Sequence, residues 1–123
     1  MNKYTEDFRL EDGVLYVSVS GEFPKERLHK GENLFKPLAD ACETYGCDKA
    51  LIDARGLQVN MGTLGLLQAG EDVAAMTRSG LHVAILSRED MIDRFFEDVA
   101  LNRGGVVRVF TELESAREWL KRQ

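Results

Sequence analysis

Two short apolar runs in the second half of the chain most constrain its fold. They are Leu81–Leu86 and Val106–Phe110, and each has about the length of a single strand. Apolar runs of this kind are typical of strands that are covered on both faces, as in a parallel sheet between helices. Because helical patterns alternate with strands from Cys47 onward, we expect parallel strands with right-handed crossovers.

The helical patterns lie between and after these runs. A largely apolar segment over about 63–78 predicts a helix with Thr63 as its N-cap and Gly80 after its end. A third helix is predicted after Ser87, from an apolar stripe at helical spacing that comprises Met91, Ile92, Phe95, Phe96 and Val99.

The last helix is predicted after Thr111. Thr111 and Glu114 fit the spacing of a capping box, in which two side chains satisfy free N–H groups of the first turn. We expect Trp119 to pack with the rest of the apolar face, which comprises Leu113, Ala116, Trp119 and Leu120.

The first half of the chain predicts a hairpin, a helix and a strand. Asp12-Gly13 lies between two runs of strand character, and glycine accepts the positive φ that a tight hairpin turn needs. Pro37 is expected near the first turn of a helix that ends before Gly46. A strand is then predicted over Cys47–Asp53, followed by a loop from Ala54 to Gly62.

The predicted order of elements is β-β-α-β-α-β-α-β-α. The fold class is therefore α/β, with a mixed, mostly parallel sheet that is flanked by helices and opens with an antiparallel hairpin. A chain of 123 residues has the size of one ordinary domain, and no repeat or low-complexity segment divides it. We expect residues 1–123 to form a single domain.

Composition excludes several classes of function. Apolar residues make up 44% of the chain, charged residues make up 30%, and the formal net charge is -5. An acidic domain without a basic block is a poor binder of nucleic acid or of an anionic membrane. No apolar run approaches the roughly 20 residues of a membrane-spanning helix, and the first residues lack the pattern of a secretory signal. The sequence therefore predicts a cytoplasmic protein.

The two cysteines, Cys42 and Cys47, have a spacing that fits neither a redox Cys-x-x-Cys motif nor a usual zinc pair. They are interpreted as incidental thiols of a reduced cytosolic chain. No metal and no cofactor is predicted.

This order of elements, with motifs spread over nearly the whole chain, resembles the STAS domain group. The nearer resemblance is to its SpoIIAA-like branch, whose members are often described as STAS/SEC14-like. The segments that resemble the family are Val14–Gly21, Pro37–Ala41, Ala50–Gly56, His82–Leu86, Val107–Thr111 and Ala116–Leu120. The resemblance implies a compact α/β domain that regulates or binds and performs no catalysis.

The resemblance also implies a candidate phosphorylation site. In anti-sigma-factor antagonists, a partner kinase phosphorylates a serine at the N-terminus of the helix after the third strand, within an Asp-Ser-Ser-Gly-Leu motif. The matching stretch here is Asn60–Gly65, where only Thr63 offers a hydroxyl. A phosphate on Thr63 would be favoured by the helix N-terminus. The alternative is that Thr63 is simply an N-cap.

The edge of the sheet where the parallel strands end is the predicted binding site, because open α/β sheets bind ligands there. Arg55 and Arg88 could together hold a carboxylate or a phosphate. The alternative is that Asp53 and Arg55 form a local pair that fixes the turn. The predicted binding residues, for a partner or a ligand, are Asp53, Arg55, Asn60, Gly62, Thr63, Ser87 and Arg88.

The sequence contains none of the common catalytic motifs considered below. The segment Gly62–Gly65 lacks the glycine spacing of a dinucleotide loop, and the sequence has no P-loop and no nucleophile elbow. The acidic pairs Glu89-Asp90 and Glu97-Asp98 are interpreted as solvated surface, because neighbours in sequence point apart on a helix. His82 is interpreted as structural. We predict no catalytic and no metal-binding residues.

These observations predict a non-enzymatic regulatory module that acts by protein–protein contact, through residues 55–65 and the following helix. The alternative is a SEC14-like carrier or sensor of a small apolar or anionic ligand. The apolar residues Leu66, Gly70, Val73 and Met76 would then meet a ligand or a partner subunit, unless neighbouring helices cover them. A homodimer is the default expectation for such a small domain.

Overall fold

The computed structural model describes residues 3–24, 26–27, 33–58, 62–78, 80–88, 98–99, 101–102 and 106–123. The elements are β1 (Thr5–Glu11), β2 (Val14–Glu22), α1 (Lys36–Tyr45), β3 (Lys49–Gln58), α2 (Gly62–Thr77), β4 (His82–Leu86), β5 (Val107–Phe110) and α3 (Leu113–Lys121). The predicted helix with the apolar stripe Met91–Val99 lies largely outside the described residues. In that segment, residues 98–99 and 101–102 are described, and they are helical.

The five strands form one sheet in the order β1-β2-β3-β4-β5. β1 and β2 are antiparallel, and β2, β3, β4 and β5 are parallel to one another. The turn between β1 and β2 places both Asp12 (φ 52) and Gly13 (φ 77) in the left-handed region, as a two-residue hairpin turn requires. The predicted α/β class, the mostly parallel sheet and the opening hairpin are confirmed.

The two faces of the sheet build two separate cores. On one face, β2, β3 and β4 pack against α1 and α2, and the buried residues include Leu15, Val17, Leu38, Ile52, Val73 and Val83. On the other face, Leu51, Ala84 and Leu86 pack against Ala116 and Leu120 of α3. Right-handed crossovers from β2 to β3 and from β3 to β4 place α1 and α2 on the same face, and α3 packs on the other face.

Strand β3 is longer than predicted, and the predicted loop from Ala54 to Gly62 is wrong in its first half. Asp53 does not end the strand, because β2 and β3 continue to pair as far as Gln58. Ser18 pairs with Asp53 and Ser20 pairs with Gly56, so an irregularity in register inserts one extra residue into β3. The local sequence did not reveal this extension because it depends on pairing with β2.

The predicted capping box at the last helix is also wrong. The N-cap of α3 is Glu112 rather than Thr111, and no side chain forms a capping hydrogen bond there. The helix begins one residue later than the Thr-x-x-Glu pattern requires, and Glu114 instead pairs with Arg117 within the helix. The packing of α3 is nevertheless as predicted, since the ring centroids of Trp119 and Phe110 lie 6.0 Å apart.

Within the described part of the chain, no helix is long and apolar enough to cross a membrane.

Removal of the Leu120 side chain should test the second core. Leu120 is 1% exposed beneath α3, so Leu120→Ala should lower the free energy of unfolding by about 2–4 kcal/mol. Urea denaturation followed by circular dichroism measures this. The control Leu10→Ala, at a position that is 43% exposed, should cost less than about 1 kcal/mol. Equal losses for the two variants would show that α3 is not packed as described.

Candidate functional site

An arginine–aspartate pair occupies the carboxyl edge of the sheet. Within β3, Arg55 donates from Nε to Asp53 Oδ1 at 3.0 Å and from Nη2 to Asp53 Oδ2 at 2.9 Å. The backbone N–H of Arg55 also donates to Asp53 Oδ1, at 3.1 Å. Three donors of one residue therefore hold both oxygens of the Asp53 carboxylate, in the two-pronged geometry that arginine favours.

Arg88 connects the end of β4 to this pair. Its Nη1 donates to the backbone carbonyl of Arg55 at 3.1 Å. The hydroxyl of the preceding residue, Ser87, donates to the carbonyl of Arg88 at 3.4 Å. Asp53 is the β3 residue that pairs with Leu86, the last residue of β4. The structure thus brings Asp53, Arg55, Ser87 and Arg88 together where β4 ends.

The contact between Asp53 and Arg55 favours the charged form of both side chains. Hydrogen bonds from the Arg55 side chain lower the pKa of Asp53, and partial burial of Asp53 opposes that effect. The Asp53 carboxylate in turn raises the pKa of Arg55. Asp53 is therefore an anion at neutral pH. A carboxylate with a lowered pKa is poorly suited to proton transfer, which needs a pKa near the working pH.

The paired-arginine clamp predicted for an anionic ligand is not the arrangement that the two side chains adopt here. Arg55 directs two of its donors to Asp53, and Arg88 directs one to the Arg55 backbone. These contacts are those of the local Asp53–Arg55 pair in the alternative interpretation, but the pair lies within β3 and not in a turn.

The first turn of α2 follows β3 at the same edge of the sheet. The helix begins at Gly62, which has a positive φ of 69°, and Thr63 lies in the first turn. A helix N-terminus presents free N–H groups and a partial positive charge. Leu64 is 81% exposed there. Asn60, which the sequence also placed in this site, lies outside the described residues.

The apolar face of α2 is largely covered by the protein itself. Val73 and Met76 belong to the core that α1 also joins, and Gly70 is buried. Leu66 is half-buried. These residues are therefore explained by neighbouring elements, which was one of the two interpretations left open by the sequence. The alternative of a ligand-carrying helix face is not favoured.

Sequence reasoning missed a second polar cluster, on the β1–β2 side of the molecule. Arg27 stacks over the rings of Tyr4 and Phe23, at 5.9 Å and 5.7 Å from their centroids. Its guanidinium also donates to the carboxylate of Glu6 and to the carbonyl of Leu34. Burial and the neighbouring Glu6 raise the pKa of Tyr4. No local pattern marks this cluster, because its members come from separate segments of the chain.

Among the described residues, no group of three or more His, Cys, Asp or Glu side chains is arranged to hold a metal ion. His82 is half-buried at the start of β4, where its backbone N–H donates to the carbonyl of Asp48 at 2.8 Å.

Acid should weaken the contribution of Asp53 to stability. The pKa of Asp53 is lower in the folded state than in the unfolded state, so its stabilising effect is present above the ordinary pKa of about 4 and is lost as pH falls through the folded-state value. Asp53→Asn should cost up to about 1 kcal/mol at neutral pH, and this difference from the native protein should shrink in acid.

Urea unfolding midpoints at neutral pH and in acid measure the change. Asp40→Asn is the matched control, because it removes an exposed carboxylate that pairs with Lys36 at 2.9 Å. A deficit for Asp53→Asn that stays constant as pH falls would contradict the lowered pKa.

Comparison with known proteins supports the fold. No family model matches the sequence, and no curated protein sequence matches it. Solved structures do match. An anti-sigma factor antagonist from Mycobacterium paratuberculosis is similar at a TM-score of 0.58 and 20% identity, over 97% of this chain and 95% of that chain.

A second structure gives the same result. It is an uncharacterised protein with a SpoIIAA-like fold from Shewanella loihica, with a TM-score of 0.56 and 17% identity over 98% of this chain and 95% of that chain. A third, solved by NMR, has a TM-score of 0.60 and 17% identity over 100% of this chain and 94% of that chain. The chain therefore has the SpoIIAA-like α/β fold, as expected from the resemblance of its sequence to that group.

Proposed function

We propose that this chain is a non-enzymatic regulatory domain of the cytoplasm that acts by binding a protein partner at the carboxyl edge of its sheet. The observation that carries the proposal is Leu64, whose side chain is 81% exposed in the first turn of α2. Burial of a fully exposed leucine contributes about 1.5–3 kcal/mol, so this residue is a natural anchor for a partner.

The surroundings of Leu64 support this role. A single exposed leucine is common on protein surfaces. This one, however, lies at the helix end that follows β3, on the edge of the sheet that carries Asp53, Arg55 and Arg88. An apolar centre with a polar rim is the usual composition of a protein–protein interface.

The structural neighbours favour one class of partner. The matching protein from Mycobacterium paratuberculosis is an anti-sigma factor antagonist. A protein of that kind acts on another protein, and its fold is shared over nearly the whole of this chain. An anti-sigma factor is therefore the partner that we propose.

The charge state of the site supports a role without catalysis. Asp53 is held as an anion by Arg55, so it offers neither a proton donor nor a tuned base at neutral pH. Arg55 donates to Asp53, and Arg88 donates to the backbone carbonyl of Arg55.

Thr63 gives the proposed surface a possible control point. Phosphorylation would add about two negative charges beside Leu64, in the first turn of the helix. The helix N-terminus would stabilise such a phosphate, but a phosphate in an apolar contact with a partner would disrupt that contact through its desolvation cost. Thr63→Glu should therefore weaken binding while the domain stays folded.

Leu64→Gln should test the proposal most directly. We expect binding to a purified anti-sigma factor of the same organism, measured by isothermal titration calorimetry, to weaken by at least about tenfold, since the loss of one buried leucine contact removes 1.4 kcal/mol or more. Arg55→Ala should weaken the same interaction through loss of the polar rim. Leu64→Gln should unfold at nearly the temperature of the native protein, whereas Arg55→Ala should unfold a few degrees lower because it loses the pair with Asp53.

Leu10→Gln is the matched control. Leu10 is also an exposed leucine, at 43%, but it pairs with Leu15 near the β1–β2 turn, at the opposite end of β2. This variant should bind as the native protein does. Equal binding by Leu64→Gln and the native protein would show that the interface lies elsewhere. Absence of binding to every anti-sigma factor of the organism would refute the proposed partner.

A further inference from the structure

The two cysteines, which are separate in the sequence, come together at the end of α1. Gly46 follows the helix in the left-handed conformation, with φ 69° and ψ 35°. The chain therefore reverses, and the backbone N–H of Cys47 donates to the carbonyl of Cys42 at 3.0 Å. This hydrogen bond spans the turn as in a Schellman motif, which brings the side chains at its two ends into contact.

The geometry of this turn is compatible with a disulfide. Cys47 packs against the core cluster that contains Cys42. The covalent dimensions of the peptide, together with the hydrogen bond between the two residues, limit their Cα separation to less than about 7 Å. A separation above that value would rule out a bridge without displacement of the backbone, and this turn lies below it. Both cysteines are free thiols in the structure.

We propose that Cys42 and Cys47 form a reversible intramolecular disulfide when the protein meets hydrogen peroxide. The Cys47 thiolate attacks the peroxide, the O–O bond breaks, and Cys47 becomes a sulfenic acid as hydroxide leaves. The Cys42 sulfur then attacks the Cys47 sulfur, the S–S bond forms, and the sulfenic oxygen leaves as water with the Cys42 proton. In total, two thiols are oxidised and one peroxide is reduced to two molecules of water.

The burial of the two thiols sets this order of events. Cys47 is half-buried, whereas Cys42 is 2% exposed in the core beneath α1. Burial, with smaller contributions from the nearby Cys47 and Asp48, raises the pKa of Cys42 to about 12. Cys42 is thus shielded from the oxidant and serves as the second thiol. The raised pKa makes Cys42 a weaker nucleophile at neutral pH, but its proximity to the oxidised sulfur of Cys47 offsets this.

The bond would lock the connection between α1 and β3. Cys42 lies in α1, and Cys47 lies two residues before the start of β3 at Lys49. A disulfide between them closes the turn around Gly46, so the end of the helix cannot fray. Dithiothreitol would restore both thiols.

Intact mass spectrometry after alkylation tests the proposal. The folded native protein is treated with a small excess of hydrogen peroxide, unfolded in urea with iodoacetamide, and weighed. We expect a species that has lost two hydrogen atoms and carries no alkylated cysteine. Treatment with dithiothreitol before alkylation should return two alkylated cysteines.

Two single variants give the matched controls. In Cys42→Ala, the sulfenic acid on Cys47 has no internal partner, so dimedone should trap it, or it should proceed to sulfinic acid. In Cys47→Ala, Cys42 should stay reduced at the same dose. Circular dichroism checks that each variant is folded.

Three results would overturn the proposal. The first is native protein in which Cys47 is over-oxidised or joined to a second chain while Cys42 is still a thiol. The second is a disulfide that forms only after the protein is unfolded in urea. The third is a native protein whose two cysteines both remain alkylatable at peroxide doses that oxidise free cysteine.

Discussion

Strand β3 is the constraint on which both layers of the structure depend. Its alternate residues face opposite sides of the sheet, so Ala50 and Ile52 pack with α1 and α2 while Leu51 packs with α3. All three are buried, because β3 is covered on both faces. A polar residue anywhere in Ala50–Ile52 would place an unsatisfied group in one of the two cores.

The candidate site is polar because it lies where β3 stops pairing with β4. Asp53 is the last residue of β3 that pairs with β4. Beyond it, the strand continues only along β2, past the irregularity between Ser18 and Ser20. Charged side chains are tolerated there because water reaches them. The same geometry explains why Arg55 binds Asp53 within its own strand and why Arg88 meets them from the end of β4.

The sequence predicted features that local residues determine, such as the turn at Asp12-Gly13 and the end of α1 at Gly46. It failed where the outcome depends on distant partners. The extension of β3 past Asp53 requires β2, and the exposure of Leu64 depends on which elements cover the first turn of α2. The proximity of Cys42 and Cys47 was missed for a local reason. The spacing of cysteine motifs takes no account of a left-handed residue between the two cysteines, such as Gly46, which reverses the chain.

The order of the strands across the sheet is also their order along the chain. Each strand therefore pairs with the one that precedes it, and short separations of this kind lower the entropy cost of closure and speed folding. During synthesis, the sheet can grow from its hairpin, one strand at a time. The helix α3 follows all five strands in the chain. Until it emerges from the ribosome, Leu51, Ala84 and Leu86 lack the cover that α3 gives them, so the nascent chain presents apolar side chains to chaperones.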